Sequence, residues 1–378
     1  MLSKMPCPFI ELEATTFKDF IQWLVDNGGF NDLYIYTGYP VLARINGKIQ
    51  KLINNSTTSY NLLPTARLVS KNDQVESIII SGEQVDCIYE HYDQNLRGVV
   101  HRFRVNIKGI RSFGGGDGMG ITIRQISIQA PTVQQLKVEP EILEAFLPKN
   151  GMVIVSGPTG SGKSTLFASC LGHIAEVTGN DLVIGTCEAP IEYVFDHIDV
   201  KSVFIYQSSV AEIGGNLKNF ESGVRASLRS GTTGTVIGEL RDLETIRAAL
   251  TASNTGQVVW GTLHVNSVLD MPSRIINVFP SDEMNKVRVE FYANSRFLMC
   301  QILVPSIVPG KARTPVKEWL KLTPAMRREL IACPLSDEAA LLYRLLHEHG
   351  MPMQRYAKNL MDIGEISEET YQIICEGE

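Results

Sequence analysis

Gly157-Pro158-Thr159-Gly160-Ser161-Gly162-Lys163-Ser164-Thr165 follows directly on the apolar run Met152-Val153-Ile154-Val155. Two glycines with four free positions between them, then Lys and Ser, form the phosphate-loop pattern, and its required context is a strand before and a helix after. The spacing has a physical reason. Glycines let the backbone curl so that several N–H groups point at one anion, and the following helix presents its positive end to it. Lys163 has the reach for the β- and γ-phosphates, and the Ser164 hydroxyl can ligate Mg2+. The chain is expected to turn over a nucleoside triphosphate.

Outward from this loop, apolar strands around Val153, Leu182 and Val236 alternate with helices, which specifies an α/β domain with a mostly parallel sheet covered on both faces. Toward the N-terminus the pattern is α+β. A helix over Phe17 to Val25 ends near Gly28-Gly29. Strands are expected at Leu33 to Tyr36, Val41 to Ile45 and Ile49 to Ile53, with Asn46-Gly47 as the tight turn between the last two. Gln84 to Tyr92 and Val99 to Ile107 flank Asp93-Gln94-Asn95 as a hairpin. Gly114-Gly115-Gly116 reads as a flexible loop, and Gly120 to Ile126 returns as a strand, giving a small open sheet with one or two helices. Ala130-Pro131 begins a linker that leads to a helix over Glu139 to Phe146. After Pro315 the pattern reads as purely helical, notably Glu338 to His349 capped by Gly350. The expected division is 1–129, a linker at 130–140, an ATPase domain at 141–315 and a helical region at 316–378.

A chain of 378 residues suggests two or three domains. With 44% hydrophobic and 20% charged residues it has an ordinary globular composition, and a net charge of −6 argues against a large non-specific nucleic-acid surface. No apolar run approaches the roughly 18 residues of a membrane span; Phe297 to Val308 is interrupted by Gln301 and Pro305. The N-terminus has acidic residues soon after Lys4 and no signal-peptide pattern. Seven cysteines without a CxxC pair fit reduced thiols and a cytoplasmic location.

Several side chains are placed for chemistry. Thr235-Val236-Ile237-Gly238-Glu239 is an apolar strand ending in a carboxylate, where a phosphate-loop enzyme delivers an acid toward Mg2+ or the attacking water. The competing reading is that Glu239 and Asp242 only favour a helix dipole. Glu188 and Glu192 follow the strand Leu182 to Gly185, at the edge that faces the ligand crevice in parallel sheets. His264 ends the strand Gln257 to Leu263 and is a candidate γ-phosphate sensor; the remaining histidines form no ligand spacing. Arg102, Arg104, Arg111 and Arg124 crowd the end of the first domain. They form either a solvated basic face or a set of arginines offered to a nucleotide held elsewhere. Arg225, Arg229 and Arg241 are equally open.

Together GPTGSGKST, CEAPIEYVFD, GELRDLETIRAALTASNTGQVVWGTLH and HRFRVN resemble the secretion-ATPase superfamily, which includes pilus-retraction ATPases and type II and type IV secretion ATPases. The likeness runs over about residues 30 to 330 and is strongest to the type IVB branch of DotB-type and TraJ-type ATPases. The resemblance implies a RecA-like phosphate-loop ATPase domain joined to a PAS-like N-terminal domain, ATP with Mg2+ between them, and a homohexameric ring. It implies that Gly157 to Thr165 bind nucleotide, that Glu188, Glu239 and His264 act in catalysis with Arg104, Arg111 and Arg124, and that Glu192 joins Ser164 at the metal. The ring is expected on the cytoplasmic side of the inner membrane, docked through secretion or conjugation components, with neither a membrane span of its own nor strong direct nucleic-acid binding. Ala189 stands where many pilus ATPases carry Asp. Ser230-Gly231-Thr232-Thr233-Gly234 replaces a charged and apolar run and leaves the length of the Glu239 strand open. A pilus-retraction motor, a DNA translocase and a ring member with little hydrolysis are the alternative readings.

Overall fold

The computed structural model describes residues 6–376 apart from 46, 114, 127–128, 178, 180, 197, 199–201 and 211–214. The expected turn residue Asn46, Gly114 of the triple-glycine loop and Lys4 lie outside the described residues. The chain divides into two compact units. The first is drawn from residues 1–128, 190–192 and 209–218, and the second from 129–189, 193–208 and 219–378.

The first unit contains α1 (Phe17–Asp26), β1 (Asp32–Tyr36), β2 (Val41–Ile45), β3 (Lys48–Ile53), α2 (Ser59–Ser70), α3 (Val75–Ile80), β4 (Val85–Tyr92), β5 (Val100–Arg111) and β6 (Asp117–Gln125). Its strands form one sheet in the order β3-β2-β1-β6-β5-β4, with antiparallel pairing throughout. Alternation decides the faces. On β5, Phe103, Val105 and Ile107 are buried in a core with Phe17, Phe20 and Leu24 of α1, while Arg102, Arg104 and Asn106 point the other way. The sequence anticipated one or two helices here; three form among the described residues. Pro64 in the middle of α2 obscured its periodicity, and Thr58 caps that helix by accepting from the Asn61 N–H at 3.2 Å.

The second unit runs α4 (Pro140–Phe146), β7 (Gly151–Ser156), α5 (Lys163–Glu176), β8 (Leu182–Glu188), β9 (Val203–Ser209), α6 (Phe220–Arg229), β10 (Gly234–Ile237), α7 (Leu243–Asn254), β11 (Val258–Leu263), α8 (Met271–Ile276), α9 (Met284–Asn294), β12 (Ser295–Pro305), β13 (Arg313–Lys321), α10 (Pro324–Ala332), α11 (Glu338–His349), α12 (Met353–Asp362) and α13 (Glu368–Glu376). The sheet order is β13-β12-β7-β11-β10-β8-β9, and β12, β7, β11, β10 and β8 run parallel. Every residue of β7 is buried, so both faces of the sheet are covered, as a continuous apolar strand requires. This is the RecA-like α/β arrangement expected from the sequence. The run 230–234 leaves β10 only four residues long. Gly234 is there for space: a Cβ would lie 2.4 Å from the Trp260 ring, whose buried indole N–H donates to Phe146 O at 2.7 Å.

Two expectations for the C-terminal part are corrected. Residues 313–321 form β13, an antiparallel edge strand on β12, and helix resumes only at Pro324 with Thr323 as its cap. Pro315 itself lies within β13, opposite Leu303, because an edge strand tolerates a residue without an N–H. Lys317 and Glu318 of this strand are both buried with partners. Lys317 Nζ donates to Glu139 Oε2 at 2.7 Å, and Glu318 Oε1 accepts from Ser267 Oγ at 2.8 Å and from the Val268 N–H. Gly350 closes α11 in extended backbone (φ −110°), not in a left-handed cap. A Cβ at Gly350 would lie 2.5 Å from the Trp319 carbonyl oxygen, so the glycine permits β13 to pass close by.

Lys317 is 2% exposed, and Glu139 is also held by the Tyr356 hydroxyl. Glu139→Ala strands a buried ammonium and should lower the unfolding free energy by about 3 kcal/mol in urea titrations. Glu144→Ala, which breaks the exposed pair with Lys321, should leave the urea midpoint close to that of the wild type.

Candidate active site

The phosphate loop is shaped by what touches it. Gly157, Gly160 and Gly162 hold φ values of 142°, 77° and 82°. At Gly157 a Cβ would lie 2.0 Å from the Gln301 carbonyl oxygen of β12, and at Gly162 it would lie 3.0 Å from Gln301 Nε2. The same amide donates to Ser161 O at 2.8 Å. Gln301 therefore grips the loop along much of its length, and Arg313 reaches Gly160 O at 3.4 Å. Lys163 is buried at the start of α5, and its ammonium donates to Gly157 O at 2.6 Å and Pro158 O at 2.9 Å. A curled glycine loop, a helix N-terminus and a lysine folded over them are the donor set a polyphosphate needs.

The parallel register brings three of the expected acid–base residues to the same sheet edge. Ile237 pairs with Cys187 and with Gly261, and Leu263 pairs with Ser156, so Glu188, Glu239, His264 and the loop all leave the sheet at the C-terminal ends of their strands. Gly238 lets β10 pass close to β8: its N–H donates to Cys187 O at 2.8 Å, and a Cβ would meet Cys187 O at 3.2 Å. Beyond it, Glu239 Oε1 lies 3.5 Å from His264 Nε2, both side chains being partly exposed. Asp242 caps α7 by accepting from the Thr245 N–H at 2.9 Å, as the helix-dipole reading requires of it. Burial raises the Asp242 pKa, but the bonds from Thr245 and Arg241 outweigh it and hold the carboxyl below its ordinary value. Glu188 Oε1 accepts from Thr186 Oγ1 at 2.6 Å and Gln207 Nε2 at 3.0 Å. Thr165 Oγ1 pairs with the Tyr193 hydroxyl at 2.8 Å.

The arginines sort by register within the first unit. Arg44, Asp32, Arg124 and Arg104 stand opposite one another across β2, β1, β6 and β5, and so share one face. Asp32 is 5% exposed and accepts from Arg124 Nε at 2.6 Å, with Arg44 at 3.8 Å and Arg104 drawn to Asp86 at 3.8 Å. Like charges directly opposite each other destabilise a sheet, so the Arg104–Arg124 pair is held there by its carboxylates. Arg111 is not brought to this row. It lies seven residues along β5 with the opposite parity, about 23 Å away. Arg102 is tied to Glu90 at 3.0 Å, Arg225 to Glu221 at 2.5 Å, and Arg241 to Asp242 at 3.1 Å and the Phe220 ring. Glu192 is exposed, on the stretch Pro190–Glu192 that groups with the first unit, whereas Ser164 opens α5 in the second. No group of three or more His, Cys, Asp or Glu side chains that could hold a metal ion occurs among the described residues. Gln301 and Gln207 were missed from sequence; the signal for Gln301 was a lone polar residue in an apolar strand.

Residues 37–327 match the family described as Type II/IV secretion system protein. The chain belongs to that family. It is 30% identical over 94% of its length to the type IV pilus ATPase PilU of Pseudomonas aeruginosa, covering 87% of that protein. It superposes on the ATPase DotB of Legionella pneumophila with a TM-score of 0.88 at 30% identity, covering 99% of this chain and 98% of that one. The pilus retraction motor PilT with bound ADP gives a TM-score of 0.79 at 29% identity, covering 96% and 97%.

The loop geometry separates its glycines. Gly160→Ala meets nothing within 4 Å and should cost only the left-handed strain, about 1–2 kcal/mol in urea unfolding. Gly157→Ala collides with main chain and should weaken a fluorescent ATP analogue by more than about tenfold in titration.

Proposed function

We propose that this member of the Type II/IV secretion system family hydrolyses ATP and couples turnover to mechanical work on a secretion machine. The observation that carries the reading is the Glu239–His264 pair at the sheet edge that also bears the phosphate loop. Lys163 would exchange the Gly157 and Pro158 carbonyls for the β- and γ-phosphates, and Ser164 would ligate Mg2+, with Glu192 assigned to the metal by resemblance alone. Glu239 would position or deprotonate the attacking water, with His264 reading the γ-phosphate and Glu188 acting beside them. An arginine of the first unit would complete the site. The register of Arg104 opposite Arg124 across β5 and β6 supports that pair in this role, and Arg111 would serve a separate contact.

The working assembly in this reading is a homohexamer, cytoplasmic and attached to the inner membrane through partner components, since no described helix is long and apolar enough to cross a membrane. ATP binding would close the two domains of a subunit and hydrolysis would reopen them. The likeness to DotB supports a type IVB secretion or conjugation apparatus. The likeness to PilU and PilT supports a pilus-retraction motor as the second reading, with the same site and a different load. A net charge of −6 weighs against a motor that grips DNA itself.

Steady-state phosphate release and binding of an ATP analogue test the assignment. Lys163→Ala should lose both. Glu239→Gln should bind within about threefold of wild type while turnover falls by about 10² or more. Wild-type turnover in either variant would sink the reading.

A further inference from the structure

Gln207 lies on β9, 19 residues from Glu188 and 14 from Tyr193, and uses its whole amide. One face of Nε2 donates to Glu188 Oε1 at 3.0 Å and the other to Tyr193 O at 2.8 Å, while its carbonyl oxygen accepts from the Phe195 N–H at 3.1 Å. Two acceptors and one donor fix which end of the amide is nitrogen, because the flipped amide would set oxygen against two oxygens. No other uncharged side chain of this length satisfies all three partners. Thr186 Oγ1 reaches the same Glu188 oxygen at 2.6 Å, so two donors set the rotation of that carboxylate. Tyr193, whose main chain Gln207 holds, meets Thr165 of the phosphate loop through its hydroxyl at 2.8 Å.

We infer that Gln207 is a positioning residue for ATP hydrolysis, which aims the Glu188 carboxylate and sets Tyr193 against Thr165. The inference rests on the ATPase reading above. Gln207 clamps both ends of the segment that leaves the sheet at Glu188 and returns at Tyr193–Phe195, so it governs the acid and the loop contact at once. A leucine there removes both donated bonds. A carboxylate there opposes two acceptors when ionised, and can donate to one of them when protonated.

The test is the pH profile of kcat and KM for ATP in Gln207→Leu and the near-isosteric Gln207→Glu, each with ADP binding as a check of folding. Gln207→Leu should lower kcat about tenfold or more with KM within about twofold. Its acidic limb should move to higher pH, because a carboxylate that loses a donor holds its proton more tightly. Gln207→Glu should lose most activity at high pH and recover toward wild type as pH falls. In a Glu188→Gln background Gln207→Leu should lower kcat by clearly less than it does in the wild type, the remainder being the part carried through Tyr193 and Thr165. An unchanged kcat and pH profile in Gln207→Leu, or losses that multiply fully with Glu188→Gln, overturns the inference while leaving the ATPase reading intact. Absence of turnover in the wild-type protein overturns both.

Discussion

The closest constraint in the second unit is the approach of the phosphate loop to β12. Only a glycine fits at position 157 because the Gln301 carbonyl stands where a Cβ would be, and the Gln301 side chain then bonds Ser161 across the loop. A loop held so tightly must be backed by a strand that cannot shift. β12 lies between β7 and β13, pairing with β13 from Phe297↔Lys321 to Pro305↔Arg313. From β13 four side chains reach outward: Arg313 to the loop, Thr314 to Glu365, Lys317 to Glu139, and Glu318 to the segment just after His264. One edge strand thus braces the phosphate loop, the helix that precedes β7 and the segment that follows the histidine.

That brace was the part of the fold least legible in the sequence. The phosphate loop, the strand ends at Glu188, Glu239 and His264, and most strands of the first unit follow from local pattern, because each is written in a glycine spacing or a period of two. β13 is not. Its alternation is broken by Lys317 and Glu318, whose charges are matched by groups 178 and 50 residues away in sequence. A buried ion pair looks like a solvated surface until both partners are in place. Gln207 is hidden for the same reason: its three partners converge only when β8 and β9 are side by side.

The arginines show what register adds to composition. Four arginines near one another in sequence suggest a single basic patch, yet strand parity sends Arg111 to the other face and the far end of β5. Arg102, Arg104 and Arg124 remain on one face, Arg102 tied to Glu90, and the Arg104–Arg124 row is joined by Arg44, which composition gave no reason to select. Asp32 is the residue that makes the row tolerable: a buried carboxylate among guanidinium groups lets them sit opposite one another.

The same pairing limits how freely those arginines are released. The Arg124 side chain is 64% exposed, while the Asp32 carboxylate it bonds is 5% exposed. A polyphosphate carries several negative charges and accepts bidentate bonds from a guanidinium group, which a single carboxylate oxygen does not offer. Asp32 holds the arginine row in place, and releasing Arg124 would leave that buried carboxylate with Arg44 at 3.8 Å, at a cost in free energy. Lys163 stands in a different position, since the two loop carbonyls it bonds are neutral acceptors and phosphate oxygens are charged ones. On binding a phosphate, Lys163 would therefore exchange neutral acceptors for charged ones.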